Sequence, residues 1–299
     1  MHQRNKYYHN APDFIKLAAI YPSLKKYIKF NRHSKQGTID FKDPRACREL
    51  TYAILWCNFQ IRLEIPLDTL CPVIPGRLDY LHWIEDLITD ANDSNNNTNK
   101  NSLSINPNNN NNEKVNIPIT GIDIGTGASC IYPLLACKLH PEWKFEALEL
   151  NERSYEYAKD NVSRNNMKNQ IKVRRVKITS PCLISPDYSF CMCNPPFYSS
   201  EEEMEESREL KIEAPHSICT GSKNEMLTEG GEVQFVVKII DDSLILQWYT
   251  SLIGKKSSIE PLLAYLKGIK YVKEIKTTNF KQGKTVRWGI AWSFKALKP

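Results

Sequence analysis

The sequence predicts an α/β protein in which a seven-stranded, mostly parallel sheet is covered by helices on both faces and preceded by a helical N-terminal module. Three observations carry this reading. From Ile117 onward apolar strand-like runs alternate with amphipathic segments through short connections, the pattern of a parallel sheet. The first of those strands runs into Gly125-Thr126-Gly127 and then into a helix. Residues 1–91 contain amphipathic helical segments and little that reads as strand.

In chain order, Asp13 is placed to cap a helix to about Ile20, with Phe14, Leu17, Ala18 and Tyr21 on one face. Pro22 opens a second helix, and Asp43-Pro44 a third, with proline at the first helical position. Residues 65–76 hold three prolines and are irregular, and Arg77 to Ile88 is again amphipathic. Between Asn92 and Asn116, thirteen of 25 residues are Asn, a composition that cannot bury a core, so a disordered insertion is expected there. The expected organisation is therefore 1–91 helical module, 92–116 insertion and 117–299 α/β domain.

Within the last part, strands are predicted at Pro118–Ile124, Lys144–Leu150, Ile171–Ile178, Asp187–Cys193 and Trp248–Ile253. A final antiparallel pair, Tyr271–Thr277 and Val286–Phe294, is joined by the turn Lys281 to Lys284. Helices are predicted from Ala128 to Lys138, from Asn151 to about Asn165, from Glu232 to Ile245 and from Ile259 to Lys267.

Composition excludes several classes. No run of 18 apolar residues exists, so no membrane span is expected, and the polar first ten residues lack the apolar core of a secretory signal. Nine cysteines occur without a CxxC pair or a Cys/His zinc spacing, so reduced thiols and no metal are expected. The net charge of +6 is unevenly placed: residues 1–48 carry eleven Lys/Arg against three Asp/Glu, and residues 248–299 carry eleven against two. Two basic ends on one face would suit a polyanion.

Three constellations carry chemistry. The glycine turn Gly125-Thr126-Gly127 lets a ligand approach backbone closely, and Asp123 just before it suits a cationic or amino-bearing ligand. Position 130 is Cys rather than the third glycine of a dinucleotide fingerprint, and no phosphate-cradling Lys follows. Glu149 ends the next strand, where a carboxylate can bind both hydroxyls of a ribose. Together these fit S-adenosylmethionine. Asn194-Pro195-Pro196-Phe197 follows the fourth strand. Two prolines hold an extended turn, Asn194 and the Pro195 carbonyl can accept from an exocyclic amine, and Phe197 can stack on its base. An ordinary proline exit from a strand is the bland alternative; the neighbouring glycine turn and Glu149 favour the amine-binding cup.

The block Gly121-Ile-Asp-Ile-Gly-Thr-Gly-Ala-Ser-Cys-Ile-Tyr-Pro133, followed by NPPF, by Glu229-Gly-Gly-Glu232 and by the terminal Thr285-Val-Arg-Trp-Gly-Ile-Ala-Trp-Ser-Phe294, resembles the methyltransferase-like protein 16 family. These are RNA adenosine-N6 methyltransferases with a class I, Rossmann-like fold, related to bacterial enzymes that methylate an adenosine of 23S ribosomal RNA. The resemblance covers nearly the whole chain outside 92–116 and about 199–215. It implies that Arg77 meets the cofactor carboxylate, that Gly125, Ser129, Glu149 and one of Thr179 and Ser180 contact the cofactor, and that Asn194 is catalytic. It implies RNA contacts at Pro12, Asp13 and Phe14, at Lys255 and Lys256, and at Gln282, Lys284 and Arg287. U6 small nuclear RNA is the implied substrate, the nucleus the implied location, and a monomer the favoured state.

Two departures from the family stand out. The stretch after Phe197 is acidic (seven Glu in 201–213), which repels phosphate and suits a lid better than an RNA contact. The sequence ends at Pro299, without the C-terminal extension of vertebrate members, so the added RNA affinity of that extension is not expected. Methylation of ribosomal RNA, of a protein glutamine at N5, and RNA binding without catalysis are the alternative readings.

Overall fold

The computed structural model describes residues 1–31, 36–100, 119–177, 188–209, 221–243, 246–282 and 285–295. Helix α1 spans Phe14–Ile20, and the Asp13 carboxylate caps it by accepting the Ile15 and Lys16 N–H groups at 3.0 and 3.1 Å. A 3-10 turn at Pro22–Tyr27 leads to the short hairpin β1 (Lys29–Asn31) and β2 (Gln36–Thr38). Helix α2 spans Pro44–Phe59, with Asp43 as its cap and Gln60 in the left-handed region closing it. Helix α3 runs from Ile74 to Lys100. Its last nine residues, 92–100, enter the Asn-rich stretch expected to be structureless. Adding a turn to an existing helix needs no new nucleus, so a polar sequence of modest propensity can continue it. The remainder of that stretch, to 116, lies outside the described residues.

The α/β part follows as β3 (Thr120–Ile124), α4 (Ile131–Leu139), β4 (Lys144–Glu149), α5 (Glu152–Arg164), β5 (Ile171–Arg175) and β6 (Phe190–Cys193). It continues with α6 (Glu201–Glu209), α7 (Lys223–Met226), α8 (Gly231–Asp241), β7 (Trp248–Ile253), α9 (Ile259–Gly268), β8 (Val272–Gln282) and β9 (Thr285–Phe294). The helix expected from Ala128 begins three residues later. Gly127 and Cys130 both take positive φ, so the chain turns once more before α4 can start.

The seven strands stand in the order β5-β4-β3-β6-β7-β9-β8. β3 to β7 are parallel, and β9 and β8 close the edge antiparallel, as the sequence predicts. The chain winds outward from β3 through β4 to β5, then returns to lay β6 on the other side of β3. The crevice beyond the carboxyl ends of β3 and β6 is thus the switch point at which open α/β sheets bind ligands.

Side chains alternate across the sheet. Phe145, Ala147, Phe190, Met192, Trp248 and Leu252 join one core; Leu148, Cys191, Cys193, Tyr249 and Ile253 join the other. The second core is completed by α8 and α9. The first also contains Leu55 of α2 and Leu78, Leu81 and Ile84 of α3. The N-terminal helices therefore share a core with the sheet. Gly121 is where this face closes most tightly: a Cβ there would lie 2.5 Å from the Phe190 ring and 2.7 Å from that of Phe145. Gly121→Ala is expected to cost about 1–3 kcal/mol; a urea melt with an unchanged midpoint would contradict this packing.

No helix among the described residues is long and apolar enough to cross a membrane. No His/Cys/Asp/Glu group among them could hold a metal ion. The described cysteines are all free thiols.

Candidate active site

The first wall of the crevice is the turn after β3. Gly125 and Thr126 donate to the Leu148 carbonyl at 3.0 and 2.9 Å, folding the turn over the end of β4. Gly125 (φ 72°) and Gly127 (φ 66°) take conformations that strain a residue with a Cβ, and nothing lies within 4 Å of where a Gly125 Cβ would sit. Asn161 of α5 fixes the next residues by donating to the Ala128 carbonyl at 3.0 Å. Ser129 is buried beside the turn.

Glu149 holds this turn from β4. Its Oε2 accepts the Gly127 N–H at 2.8 Å, and Oε1 accepts the N–H groups of Leu150 and Asn151 at 2.9 and 2.8 Å. A carboxylate offers about four acceptor positions, so three backbone bonds leave one for a ligand. Glu149 is thus as much a brace for the glycine turn as a ribose ligand, a double role that spacing alone does not reveal. Burial pushes its carboxyl up, opposed by those three N–H groups.

Asp123 of β3 is 1 % exposed, and its Oδ2 has no hydrogen-bond partner among the described residues. Burial, reinforced by the nearby Glu149 charge and only partly offset by Thr126 and Arg77, pushes its carboxyl up to about 7. The folded state thus holds this proton more tightly than the unfolded chain. The stabilisation is fully present below about pH 4, the ordinary Asp value, and is lost as pH rises through about 7. Asp123→Asn is expected to narrow the loss of melting temperature between about pH 5 and pH 8; an unchanged pH profile would rule out an ionising Asp123.

Arg77 of α3 enters from the N-terminal module. Its Nη1 donates to the Tyr132 hydroxyl at 2.7 Å, its guanidinium carbon stands 5.2 Å from that ring's centre, and its buried Nε has no partner. An orphaned carboxylate oxygen, an orphaned guanidinium N–H and an open glycine cradle lie on elements that converge on one crevice. That donor set fits an amino acid attached to a nucleoside, the build of S-adenosylmethionine. Thr179 and Ser180, the other implied contacts, lie outside the described residues.

The second wall is Asn194-Pro195-Pro196-Phe197 at the end of β6. Cys193 pairs in register with Ile124, so the tetrapeptide leaves the sheet beside the glycine turn, as expected. Asn194 is half-buried. The Phe197 ring lies against Gly254, where a Cβ would come within 2.5 Å of it, and the Arg287 guanidinium stands 5.2 Å from the ring centre. Lys255 stands 4.9 Å over the adjacent Tyr198 ring. Two of the expected RNA-binding cations, Lys255 and Arg287, are therefore brought to the cup itself.

Two residues outside the expected set build this wall. Glu232, buried at the start of α8, accepts the Gly254 N–H at 2.7 Å, the Lys255 N–H at 2.9 Å and the Ser258 hydroxyl at 2.6 Å. Glu225 closes the top: it accepts the Ser222 N–H and hydroxyl and, at 3.0 Å, the Leu70 N–H, while its Oε1 lies 3.7 Å from a Gly127 Cβ position. The sequence signals were the Gly-Gly-Glu helix start and the Ser222-to-Glu225 capping box. Neither discloses the remote backbone it would hold.

Other expectations fare differently. The acidic stretch is docked rather than apart: Glu203 is paired with Lys255 and accepts the Ser199 N–H at 2.7 Å. Burial works against the Glu203 charge, but these bonds outweigh it and hold the carboxyl at about 2. Glu201 meets Lys223 at 2.5 Å. Asp13, expected to contact RNA, spends its carboxylate on the α1 cap, and Phe14 packs against the first core and edge-on to Phe41 at 6.3 Å. Pro12 is half-buried, and no described contact joins residues 12–14 to the cup. Lys256 is exposed. Gln282 ends β8, its side chain outside the description, and Lys284 lies outside the described residues.

A family model described as RNA methyltransferase matches residues 1–296. The chain is 41% identical over 98% of its length to the mouse RNA N(6)-adenosine-methyltransferase METTL16, covering 51% of that protein. It is 38% identical over 91% of its length to the U6 small nuclear RNA (adenine-(43)-N(6))-methyltransferase of Schizosaccharomyces pombe, covering 66% of it. The chain thus spans about half the length of its vertebrate relatives. The catalytic domain of human METTL16, crystallised with the MAT2A 3′UTR hairpin 1, superposes with a TM-score of 0.84 at 40% identity, covering 99% of this chain and 96% of that one. The N-terminal domain of human METTL16 in complex with SAH gives 0.73 at 38% identity, with 99% of each chain covered. With this fold, this crevice and these likenesses, the chain belongs to the METTL16 family of RNA methyltransferases.

Proposed function

We propose that the chain is an S-adenosylmethionine-dependent RNA methyltransferase that forms N6-methyladenosine, that U6 small nuclear RNA is its substrate, and that it acts in the nucleus. The observation that carries the reading is the placement of Asn194-Pro195-Pro196-Phe197 directly beside the Gly125–Gly127 turn across the β3–β6 switch point. The name of the Schizosaccharomyces pombe relative supports U6 as the substrate, and the hairpin bound to human METTL16 supports RNA as its class.

S-adenosylmethionine, when bound, supplies the methyl group. In this reading Arg77 receives its carboxylate, Asp123 its amino-bearing end and Glu149 a ribose hydroxyl. The Asn194 carboxamide oxygen and the Pro195 carbonyl accept the two N–H groups of the adenine amine. They thereby favour a tetrahedral nitrogen over one conjugated with the ring. Phe197 stacks on the base, which must leave its own stack first, so a bulged or unpaired adenosine is favoured. No strong base is needed, because the proton can leave after transfer. Incubation with labelled cofactor and a U6 hairpin, then digestion to nucleosides, is expected to yield N6-methyladenosine. Label in protein glutamine or in no product would overturn the assignment, and nuclear exclusion of a tagged chain would overturn the location.

Lys255→Glu with Lys256→Glu is expected to weaken RNA binding about tenfold or more at low salt and to flatten its salt dependence. Unchanged binding at both low and high salt would remove this turn from the RNA surface.

A further inference from the structure

Helix α3 reaches both walls of the crevice. Arg77 faces the cofactor side; Tyr80, one turn on, faces the base cup. Tyr80 is fully buried, with its ring among Trp83, Tyr132 and Phe280. Its hydroxyl, however, sits at the point where the sheet opens. β6 and β7 are paired only at Phe190↔Trp248 and Cys191↔Tyr249. Beyond that the strands part, and the Tyr80 and Thr250 side chains stand between them.

Each of the two hydroxyls there has a single proton to give. Thr250 Oγ1 donates to the Cys191 carbonyl at 3.0 Å, which uses its only proton. The Tyr80 hydroxyl lies 2.7 Å from Thr250 Oγ1 and 3.3 Å from the Cys193 carbonyl, either of which can take its proton. Tyr80 Oη also accepts the Cys193 N–H at 3.3 Å. The two hydroxyls thus link the Cys193 end of β6 to the Cys191 carbonyl, leaving the strand and returning to it two residues back. Burial pushes the phenol well above its ordinary value, so the donor proton stays in place. The residue after Cys193 is Asn194.

We propose that Tyr80 is a positioning residue for methyl transfer: through its hydroxyl and Thr250 it fixes the end of β6 and with it the pose of Asn194. This rests on the functional reading above. It also means that α3 places Arg77 and Asn194 relative to one another, so cofactor and acceptor are aligned by a single rigid element. Alignment of reacting atoms to within about 1 Å is worth up to about 100-fold in rate.

Tyr80→Phe keeps the ring and removes only the relay. On an RNA hairpin with a bulged adenosine, kcat is expected to fall about 10- to 100-fold. KM for the RNA and calorimetric affinity for the cofactor should stay within about twofold, and the melting temperature within a few degrees. Hydrogen exchange at the Cys193 amide should quicken without cofactor or RNA present. Thr250→Val, which breaks the relay at its next link, should give the same split, and the double variant should be no slower than the slower single one. Full kcat in Tyr80→Phe beside an active wild type overturns the inference alone, as does a loss that falls equally on KM, cofactor affinity and stability. A wild type that methylates no RNA overturns the functional reading and the catalytic role of Tyr80 with it.

Discussion

Asn194→Ala is expected to lower the single-turnover rate of methyl transfer by at least about 10²- to 10³-fold, the range seen when one preorganised polar group is removed from a transition state. Cofactor affinity should change little, because the residues that hold the turn after β3 belong to β3, β4 and α5 rather than to the tetrapeptide. Stability should also change little. Asn194 is half-buried, and the strand end before it is held by pairing with β3 and by Tyr80. Rapid-quench rates with labelled cofactor, beside calorimetric titration, separate the two effects. A variant that transfers methyl groups at the wild-type rate would show that the amine is recognised elsewhere. One that no longer binds cofactor would show that the two walls are not independent.

The second large effect falls on a residue that touches no reacting atom. Glu232→Ala removes the acceptor of two backbone N–H groups and one hydroxyl at the 254–258 turn. Leaving buried donors without partners costs about 1–3 kcal/mol each, with part recovered by local rearrangement, so a loss of about 2–4 kcal/mol is expected. Activity should fall further than stability predicts at temperatures where the fold survives. Gly254 is the floor under Phe197, and Lys255 stands over Tyr198, so a loosened turn releases both sides of the cup. Glu232→Gln is the sharper variant: it keeps the volume, but its amide nitrogen would face a backbone N–H in place of an acceptor. Denaturant melts and RNA-dependent turnover measured together test this. A Gln variant with wild-type stability would show that the 254–258 turn stands without the carboxylate.

The acidic stretch after the tetrapeptide takes on a specific meaning here. Read as sequence, seven Glu beside a basic surface look like an obstacle to RNA. In the fold, Glu203 neutralises Lys255 at the rim of the cup, and the α6 helix that carries it is anchored again through Glu201 and Lys223. Charge that would repel phosphate is in part already spent on the cations that would attract it. Net charge therefore overstates both the basicity of the 255–256 turn and the acidity of residues 201–206.

The sequence by itself determined the strand order's raw material and the chemistry. Apolar runs, the glycine turn, Asn151 and Asp43 as caps, and two prolines after a strand are local statements, and local sterics enforce them. For the same reason the resemblance could place Arg77, Glu149 and Asn194 by number. What only tertiary structure decided are the roles that depend on which distant backbone meets a side chain. Glu149 braces the glycine turn as well as facing a ligand. Glu232 and Glu225 hold loops over 20 and over 150 residues away, and Tyr80 reaches a strand end 113 residues on. A buried carboxylate or phenol must find partners, because leaving it unpaired is costly. Which partners it finds is set by the packing of α3 and α8 on the sheet, and no spacing in the chain records that.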